Sequence, residues 1–250
     1  MIKKCAKKIF NKMGLEIARY NPYSYIDIKQ DVIDIISKAK PFTATTYERM
    51  IALIEAVRYI IKYSIPGDIV ECGVWRGGSI IAIIETLKQM HVNNKDIYCY
   101  DTFEGMVKPG EEDICLINSK KAFEEYESLK IDKNSSHWYC ATLDEVKRNV
   151  YSTNYSPEKI HFIKGRVEDT IPLQTPSEIS LLRLDTDWYE STKHELNHLF
   201  PRLAKGGVLI IDDFGHWQGC RKAVDEYFKV NNTPIFLNRI DYSGRIAIKI

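Results

Sequence analysis

The feature that most constrains the fold is a short apolar strand that breaks into a glycine-rich turn at residues 68–79, Asp-Ile-Val-Glu-Cys-Gly-Val-Trp-Arg-Gly-Gly-Ser. Helix-forming sequence follows, from Ile80 to Met90. A strand, a tight turn and a helix N-terminus in this order are typical of the point where an open α/β sheet binds a nucleotide-like ligand. The pattern therefore predicts an α/β fold with a candidate ligand site at this turn.

The chemistry of this turn differs from that of a dinucleotide-binding loop. Three residues separate Gly73 from Gly77 and Gly78, so the spacing is not G-x-G-x-x-G, and an acid, Glu71, precedes the first glycine. A carboxylate would repel a phosphate, but it suits a ligand that carries an amino group and a sulfonium. We therefore interpret Glu71, Gly73, Gly77 and Ser79 as contacts for S-adenosylmethionine, with a turn that binds no ligand as the structural alternative.

Strands and helices alternate along the rest of the chain. The predicted strands are 68–72, 96–101, 160–164, 179–184 and 208–211, and the predicted helices are 79–91, 119–128, 142–150, 189–203 and 218–229. Two further strands, 234–240 and 245–250, have the spacing of a hairpin and predict an antiparallel pair at the sheet edge. Apolar strands that alternate with helices predict a mostly parallel, doubly wound sheet.

The start of the chain reads as an extension to this domain. We predict a helical extension or lid over residues 1–40 and the catalytic domain over residues 41–250. Residues 1–13 are basic and amphipathic but lack the features of a secretory signal; they form either a solvated helix or a contact with an anionic surface or a partner. Thr45 and Glu48 have capping-box spacing and predict that a helix begins there.

Composition excludes several classes of protein. A net charge of +1 gives no support to a general nucleic-acid binder. We find no run of 18 apolar residues, so a membrane span is not expected. The six cysteines are scattered and form no C-x-x-C pair, which supports neither a zinc site nor a redox motif. A reducing cytoplasm is the simplest location for such a chain.

Acids follow four of the predicted strands, where an open α/β sheet lines its ligand crevice. They are Glu71, Asp101, Asp185, Asp212 and Asp213. Asp101 is suited to accept hydrogen bonds from ribose hydroxyls, and Phe103 to lie against an adenine ring; an Asx turn is the alternative for Asp101. Glu168, after the third strand, is a candidate contact for the adenine edge or a plain helix cap.

The acids after the fourth and fifth strands suggest a metal site. If these strands are neighbours, Asp185, Asp212 and Asp213 converge, and unpaired carboxylates would repel one another. A hard divalent cation such as Mg²⁺ resolves the repulsion, and it would orient a substrate hydroxyl and lower its pKa. Asp187 competes with Asp185 for the ligand role, and the alternative is that Asp213 only caps the next helix.

Two more residues lie close to these acids in the sequence. His216 is in the loop after the fifth strand, where an imidazole can take a proton from an activated hydroxyl, or it is a surface histidine without a role. Arg183 lies inside the fourth strand, so we expect it to be buried or paired and to serve the structure.

Four motifs together carry a family resemblance. Glu-Cys-Gly-Val-Trp-Arg-Gly-Gly-Ser (71–79), Tyr-Asp-Thr-Phe-Glu-Gly-Met (100–106), Leu-Arg-Leu-Asp-Thr-Asp-Trp-Tyr-Glu-Ser-Thr (182–192) and Gly-Gly-Val-Leu-Ile-Ile-Asp-Asp-Phe-Gly (206–215) resemble the macrocin O-methyltransferase family. These are metal-dependent class I methyltransferases of sugar or phenolic hydroxyls, and the resemblance covers about residues 42–250.

The resemblance implies a seven-stranded sheet with one antiparallel strand near the C-terminus. It implies S-adenosylmethionine at the glycine turn and Asp101, and Mg²⁺ at Asp185, Asp212 and Asp213; the step of 27 residues from Asp185 to Asp212 favours Asp185 over Asp187 and makes Asp185 a candidate base. It also implies that the N-terminal region and the segment 107–140 act as lids. With an apolar stripe at residues 32–36 that we expect to be exposed, it suggests a homo-oligomer.

The sequence therefore predicts a metal-dependent O-methyltransferase that moves a methyl group from S-adenosylmethionine to a sugar hydroxyl of a glycosylated natural product or a polysaccharide precursor. The base would be Asp185 or His216. A phenol or catechol acceptor, an NAD-dependent oxidoreductase and a catalytically silent scaffold of the same fold remain as alternatives.

Overall fold

A mostly parallel sheet organises the protein, whose computed structural model describes residues 27–132 and 135–250. The strands of the described residues are Asp68–Cys72 (β1), Ile97–Asp101 (β2), Ile160–Lys164 (β3), Ile179–Leu184 (β4), Leu203–Ile211 (β5), Asn238–Arg239 (β6) and Arg245–Ile248 (β7). They form one seven-stranded sheet in the order β3-β2-β1-β4-β5-β7-β6. Among these described strands, β7 runs against the direction shared by the other six.

Helices connect the strands. In the described residues they are Gln30–Ala39 (α1), Tyr47–Lys62 (α2), Gly78–Gln89 (α3), Ala122–Leu129 (α4), Leu143–Tyr151 (α5), Val167–Thr170 (α6), Tyr189–Leu199 (α7) and Gln218–Val230 (α8). α2 packs on α3 and contacts β4 and β5, while α7 packs on α8. Every residue of β4 is buried, as expected for a parallel strand covered on both faces. The doubly wound α/β prediction is confirmed.

The core explains why these strands were readable from the sequence. Val70 and Leu182 pack with Leu196 of α7 and Val224 of α8 in one apolar cluster. Alternate strand residues point to opposite faces of a sheet, so a strand covered by helices on both faces is apolar throughout. The predicted strands 68–72, 160–164 and 179–184 agree with β1, β3 and β4, and β4 and β5 are neighbours.

The boundary between α7 and β5 differs from the prediction. α7 ends at Leu199 rather than at residue 203, and a 3₁₀ turn over Phe200–Arg202 follows it. Pro201 has no N–H to donate to a continuing helix, which ends the helix there. β5 begins at Leu203 rather than at residue 208, and it includes Gly206, whose φ of 81° places it in the left-handed region at a bend.

The start of α2 also differs by one residue. The cap is Thr46, not Thr45, because the Thr46 hydroxyl accepts the N–H of Arg49. The Thr45 hydroxyl instead accepts a hydrogen bond from Nη2 of Arg183, at 3.3 Å. The first turn of α2 is thereby joined to the centre of the sheet.

The prediction for residues 1–40 lies largely outside the described residues, which begin at residue 27. A compact unit that holds the sheet spans Asp34–Ile250, and the domain boundary at residue 41 stays a prediction. The apolar stripe expected to be exposed is not, since Val32, Ile35 and Ile36 are each at most 2% exposed. It therefore gives no support to an oligomer interface. Within residues 27–132 and 135–250, no helix combines the length and apolarity needed to cross a membrane.

Candidate active site

The carboxyl ends of β1, β2, β4 and β5 open on one cavity of about 810 Å³. Most of the site residues predicted from the sequence lie in its wall, namely Gly73, Ser79, Asp101, Glu168, Asp185, Asp212, Asp213 and His216. Glu71, Gly77 and Phe103 lie outside it. The topology thus brings the glycine turn and the acids after β4 and β5 to a single space, as the strand-end argument predicts.

Gly73 lets β1 and β4 end in contact. Its φ is 85°, and a Cβ at this position would overlap the carbonyl oxygen of Asp185. The N–H of Asp185 donates to the carbonyl of Cys72 at 2.8 Å. A side chain at Gly73 would therefore push the turn away from the first acid of the site.

Asp101 shapes the glycine turn with its own carboxylate. Oδ2 accepts the N–H groups of Val74 and Trp75 at 2.7 and 2.9 Å, and Oδ1 accepts the N–H of Phe103 at 2.7 Å. Burial raises the pKa of Asp101, and these three donors oppose the rise. The Thr102 hydroxyl is a fourth, longer contact, 3.4 Å from Oδ1. A carboxylate offers about four acceptor positions, so a ligand hydroxyl would take the place of this contact.

The predicted ligand contacts at Glu71, Gly77 and Phe103 receive structural roles instead. The carboxylate of Glu71 is buried and paired with Arg183. Gly77 has a φ of 90° and is the N-cap of α3. Phe103 is 3% exposed, and its ring packs on Phe162 with the centroids 6.3 Å apart. None of these three residues lines the cavity, and their contact with a ligand stays a prediction.

Three carboxylates converge at the cavity floor. Asp185, Asp187 and Asp213 each offer an oxygen, and these oxygens lie within 4.8 Å of one another. Burial raises the pKa of Asp185 and Asp213 well above the usual range and that of Asp187 to about 7, and the neighbouring carboxylates add to the rise. Asp187 and Asp213 share a hydrogen bond. Among the described residues, Oδ2 of Asp213 is buried without a hydrogen-bond partner.

This cluster differs from the predicted metal set, which had Asp212 in the place of Asp187. Both oxygens of Asp212 are taken by guanidinium groups, Oδ1 by Arg183 at 2.7 Å and Oδ2 by Arg49. Asp187 has a φ of 68° and its Oδ2 accepts the indole N–H of Trp217 at 3.1 Å. The structure therefore brings Asp187, rather than Asp212, next to Asp185 and Asp213, and the identity of the metal ligands stays a prediction.

Arg183 is buried and paired, as predicted, and it joins several acids. Its guanidinium contacts Glu71, lies 2.8 Å from Oδ2 of Asp185 and 2.7 Å from Oδ1 of Asp212, and is 2% exposed. The fork of N–H donors suits several carboxylates at once. The sequence suggested that the acids of the site are unpaired, but Arg183 pairs with several of them. Only part of their negative charge therefore remains for a cation.

His216 stands in the cavity wall with both ring nitrogens close to a polar neighbour. Nδ1 lies 3.2 Å from the hydroxyl of Tyr242, and Nε2 lies 3.8 Å from Sγ of Cys115. Burial, and then the charge of Arg49, lower the pKa of His216. The imidazole is therefore neutral near pH 7 and able to accept a proton.

The segment 107–140, predicted as a lid, lines the cavity and is anchored beside the acids. Asp113 is 1% exposed and its Oδ1 accepts the first N–H of α7, from Tyr189, at 2.8 Å. Trp138 packs edge-on against Trp188 and Trp217, with centroids 5.6 and 6.2 Å away. The roof of the cavity is thus attached to the loops that follow β4 and β5.

Sequence reasoning missed Arg49 and Tyr242, both in the cavity wall, whereas Cys115 and Tyr139 belong to the segment 107–140 that was predicted as a lid. Arg49 and Tyr242 lie far along the chain from the motifs, and nothing in their local pattern sets them apart. Arg183 offered a signal, because an arginine within an apolar strand needs acids nearby. That signal identified a buried pair but not which acids form it.

Comparison with known proteins is consistent with this geometry. Residues 9–247 match the model of the family described as Macrocin-O-methyltransferase (TylF). The chain is 31% identical over 189 residues to the demethyldecarbamoylnovobiocin O-methyltransferase of Streptomyces niveus, covering 76% of this chain and 68% of that protein. It is also 31% identical over 197 residues to the mycinamicin III 3''-O-methyltransferase of Micromonospora griseorubida, covering 79% and 74%.

Solved structures give the same result. The O-methyltransferase NovP superposes with a TM-score of 0.73 at 30% identity, over 83% of this chain and 82% of that one. The calicheamicin methyltransferase CalS11 superposes with a TM-score of 0.60 at 16% identity, over 92% and 94%, and supports the fold alone.

Proposed function

The chain belongs to the macrocin-O-methyltransferase family, and we propose that it moves a methyl group from S-adenosylmethionine to a sugar hydroxyl of a natural product with the help of a divalent cation. The observation that carries the proposal is that the glycine turn and the three converging carboxylates open on the same cavity. Methyl transfer needs the donor and the acceptor hydroxyl side by side, and this cavity offers both a place.

The donor half of the cavity is the turn after β1. Gly73 and Ser79 line it, and Asp101 holds it in shape through three N–H groups. A ribose hydroxyl would take the place of the long contact from Thr102 at Oδ1. Glu168 lines the neighbouring wall, next to Arg166, whose Nε is 3.3 Å from its carboxylate. These residues suit a ligand with a ribose, an amino group and a positive charge.

The acceptor half contains the acids after β4 and β5. The residues present fit a cation, because the oxygens of Asp185, Asp187 and Asp213 are close together and Oδ2 of Asp213 has no partner within the described chain. Oxygen ligands of this kind suit Mg²⁺. A divalent cation bound there supplies Lewis-acid polarisation of a hydroxyl. The Mg²⁺ affinities of the Asp187→Asn and Asp212→Asn variants decide which of the two residues is the third ligand, because loss of a ligand weakens binding of the ion.

Two side chains are placed to take the acceptor proton. Asp185 lies beside the donor turn, because its N–H is bonded to the end of β1. His216 lines the same cavity and is neutral near pH 7. Asp185 is our first choice as base, because its position next to Gly73 brings it closest to the donor turn.

A sugar hydroxyl is the acceptor that the relatives support. The mycinamicin III 3''-O-methyltransferase and a methyltransferase of a dimethoxy-rhamnosyl tetracenomycin from Streptomyces olivaceus both match this chain at 31% identity. The name of the second enzyme includes a rhamnosyl group as part of its substrate. A phenol stays an outcome of the test, since the cavity wall contains aromatic side chains that suit either ring.

Calorimetric titration with S-adenosylhomocysteine, in Mg²⁺ and in EDTA, tests the proposal first. We expect binding of the cofactor product in both conditions and a separate Mg²⁺ isotherm that Asp213→Asn removes. Asp185→Asn should keep cofactor binding and lower kcat by about 10²–10⁴-fold. The matched control is Asp144→Asn, at an exposed acid of α5 outside the cavity.

The acceptor class is tested by release of S-adenosylhomocysteine with deoxysugar glycosides and with catechol as the two sets of acceptors. Turnover of glycosides supports the proposal, whereas turnover of catechol alone would replace the sugar with a phenol. Absence of cofactor binding would contradict the donor site and favour the silent scaffold.

A further inference from the structure

Arg49 stands between two carboxylates at the edge of the cavity. Its Nη1 contacts Oδ2 of Asp212, and its Nε lies 3.0 Å from Oδ2 of Asp241. The side chain is 11% exposed and lines the cavity wall. The guanidinium is thus held at two points, of which only Asp212 belongs to the acids after β5.

The contact of Arg49 with Asp241 does not depend on its contact with Asp212. Asp241 accepts the N–H groups of Ser243 and Gly244 at 2.9 and 2.6 Å and the hydroxyl of Thr46 at 2.8 Å. Burial raises the pKa of Asp241, but these bonds and the charge of Arg49 outweigh it and leave the pKa lowered. Asp241 is therefore a fixed anion to which Arg49 remains bound when its other contact breaks.

Asp212 is the acid of the cluster that two cations already neutralise. Arg183 holds Oδ1 and Arg49 holds Oδ2. Arg183 is 2% exposed and fixed by Glu71 and Asp185, so it has no room to leave. Arg49 faces the cavity and has a second partner, so it is the guanidinium that can release Asp212.

We infer that Arg49 is a resident cation that occupies Asp212 in the metal-free chain and withdraws to Asp241 when a divalent cation binds. This inference rests on the proposed metal site. Arg49 on Asp212 also interacts with the charges of Asp185 and Asp213. It therefore repels a dication bound to those carboxylates, so binding of the ion has to work against Arg49. The residue thereby sets the metal affinity of the site without being a ligand.

The position of Arg49 gives this competition a structural consequence. Arg49 lies in the first turn of α2, next to the cap Thr46, and the preceding residues Thr43 and Thr45 line the cavity. Thr45 is bonded to Arg183. Release of Asp212 therefore changes the contacts of the segment that forms one wall of the acceptor space, so metal binding and the shape of that wall are coupled.

The experiment measures Mn²⁺ affinity from the electron paramagnetic resonance signal of the free ion. Even at a water-like dielectric constant, one charge about 6 Å from a dication changes affinity by about tenfold. We expect Arg49→Gln to bind Mn²⁺ about tenfold more tightly than the wild type and Arg49→Lys to stay within about threefold. The matched control is Arg58→Gln on the same helix, where Arg58 pairs with Glu55 at 2.9 Å.

A double-mutant comparison separates competition from a merely structural role. Asp241→Asn removes the place to which Arg49 withdraws, so it should weaken Mn²⁺ binding in the wild-type chain and have little effect in the Arg49→Gln chain. This comparison keeps the inference testable through Asp241→Asn alone if Arg49→Gln is poorly soluble.

The outcomes are distinguishable. Equal or weaker Mn²⁺ binding by a folded Arg49→Gln chain overturns the inference and leaves the metal site standing. If Arg49→Gln binds Mn²⁺ and the wild type does not, the inference is supported, and Arg49 excludes the ion rather than only weakening its binding. Absence of binding by every variant overturns both the inference and the metal dependence of the proposed function.

Discussion

Replacement of Arg183 by methionine should destabilise the protein more than any surface change. Its guanidinium contacts Glu71, Asp185 and Asp212 and is 2% exposed. Removing one partner of a buried ion pair leaves uncompensated charge and costs about 3–5 kcal/mol. At about 2–4 °C per kcal/mol for a chain of this length, the thermal midpoint in EDTA should fall by roughly 6–20 °C.

The pH dependence identifies the cause of that loss. Burial already raises the pKa of Glu71 to about 7 and that of Asp185 well above its usual range, and without the guanidinium both rise further above their unfolded values. A raised carboxyl pKa means that the folded state binds more protons, so stability falls as pH rises through that range. The deficit of Arg183→Met relative to the wild type should therefore shrink as pH is lowered from about 8 to about 5.5.

Arg58→Met is the matched control for Arg183→Met. Arg58 pairs with Glu55, whose side chain is 57% exposed, and exposed pairs contribute at most about 1 kcal/mol. The thermal midpoints of the wild type, Arg183→Met and Arg58→Met, measured by scanning calorimetry at several pH values, test the prediction. A midpoint of Arg183→Met within about 2 °C of the control, or a deficit that grows at low pH, would refute the argument from buried charge.

Two other perturbations test the turns around the site. Burial raises the pKa of Asp113 from 3.8 to about 6, so the folded state keeps its proton to higher pH than the unfolded state. The free energy of unfolding of the wild type relative to Asp113→Asn, measured by urea unfolding, should therefore fall by about 2–2.5 kcal/mol between about pH 4 and pH 7. Gly73→Ala combines a positive φ with overlap on the carbonyl of Asp185 and should cost about 4 kcal/mol or more in a thermal melt. Gly110→Ala, whose Cβ would meet only an oxygen of Asp113 at 3.5 Å, is its control.

The strands were predictable because a strand that is buried on both faces consists of consecutive apolar residues. β4 is apolar at every position but Ser180 and Arg183, and such a run has few other places in a fold. The boundary errors occurred where a single atom decides the outcome. The missing N–H of Pro201 ends α7 early, and the choice between the hydroxyls of Thr45 and Thr46 as a cap depends on Arg183, which is 138 residues from Thr45.

The location of the site was predictable for a topological reason, since parallel strands place their carboxyl ends at one edge. The partners of its side chains were not. Asp212 is neutralised by Arg49, which is 163 residues away in sequence, and Asp187 is turned toward the cluster by a φ of 68° and the indole of Trp217. Such contacts depend on the packing of helices and loops and leave no periodic pattern in the sequence.

The acids of the motifs therefore differ in how strongly they indicate catalysis rather than a structural role. Asp101 would be retained by a silent scaffold, because it holds the glycine turn through three N–H groups. Asp212 would also be retained, because it pairs with two arginines. Asp213 is different. Its Oδ2 is buried without a hydrogen-bond partner among the described residues, beside Asp187 and Asp185, and a buried polar atom without a partner costs stability. The two other buried oxygens without a partner in the described part of the chain, on Glu71 and Glu195, lie outside the cavity, whereas Asp213 lines it together with two further carboxylates. Converging carboxylates repel one another and a divalent cation removes that cost, so Asp213 is the residue that most favours an active enzyme over a scaffold.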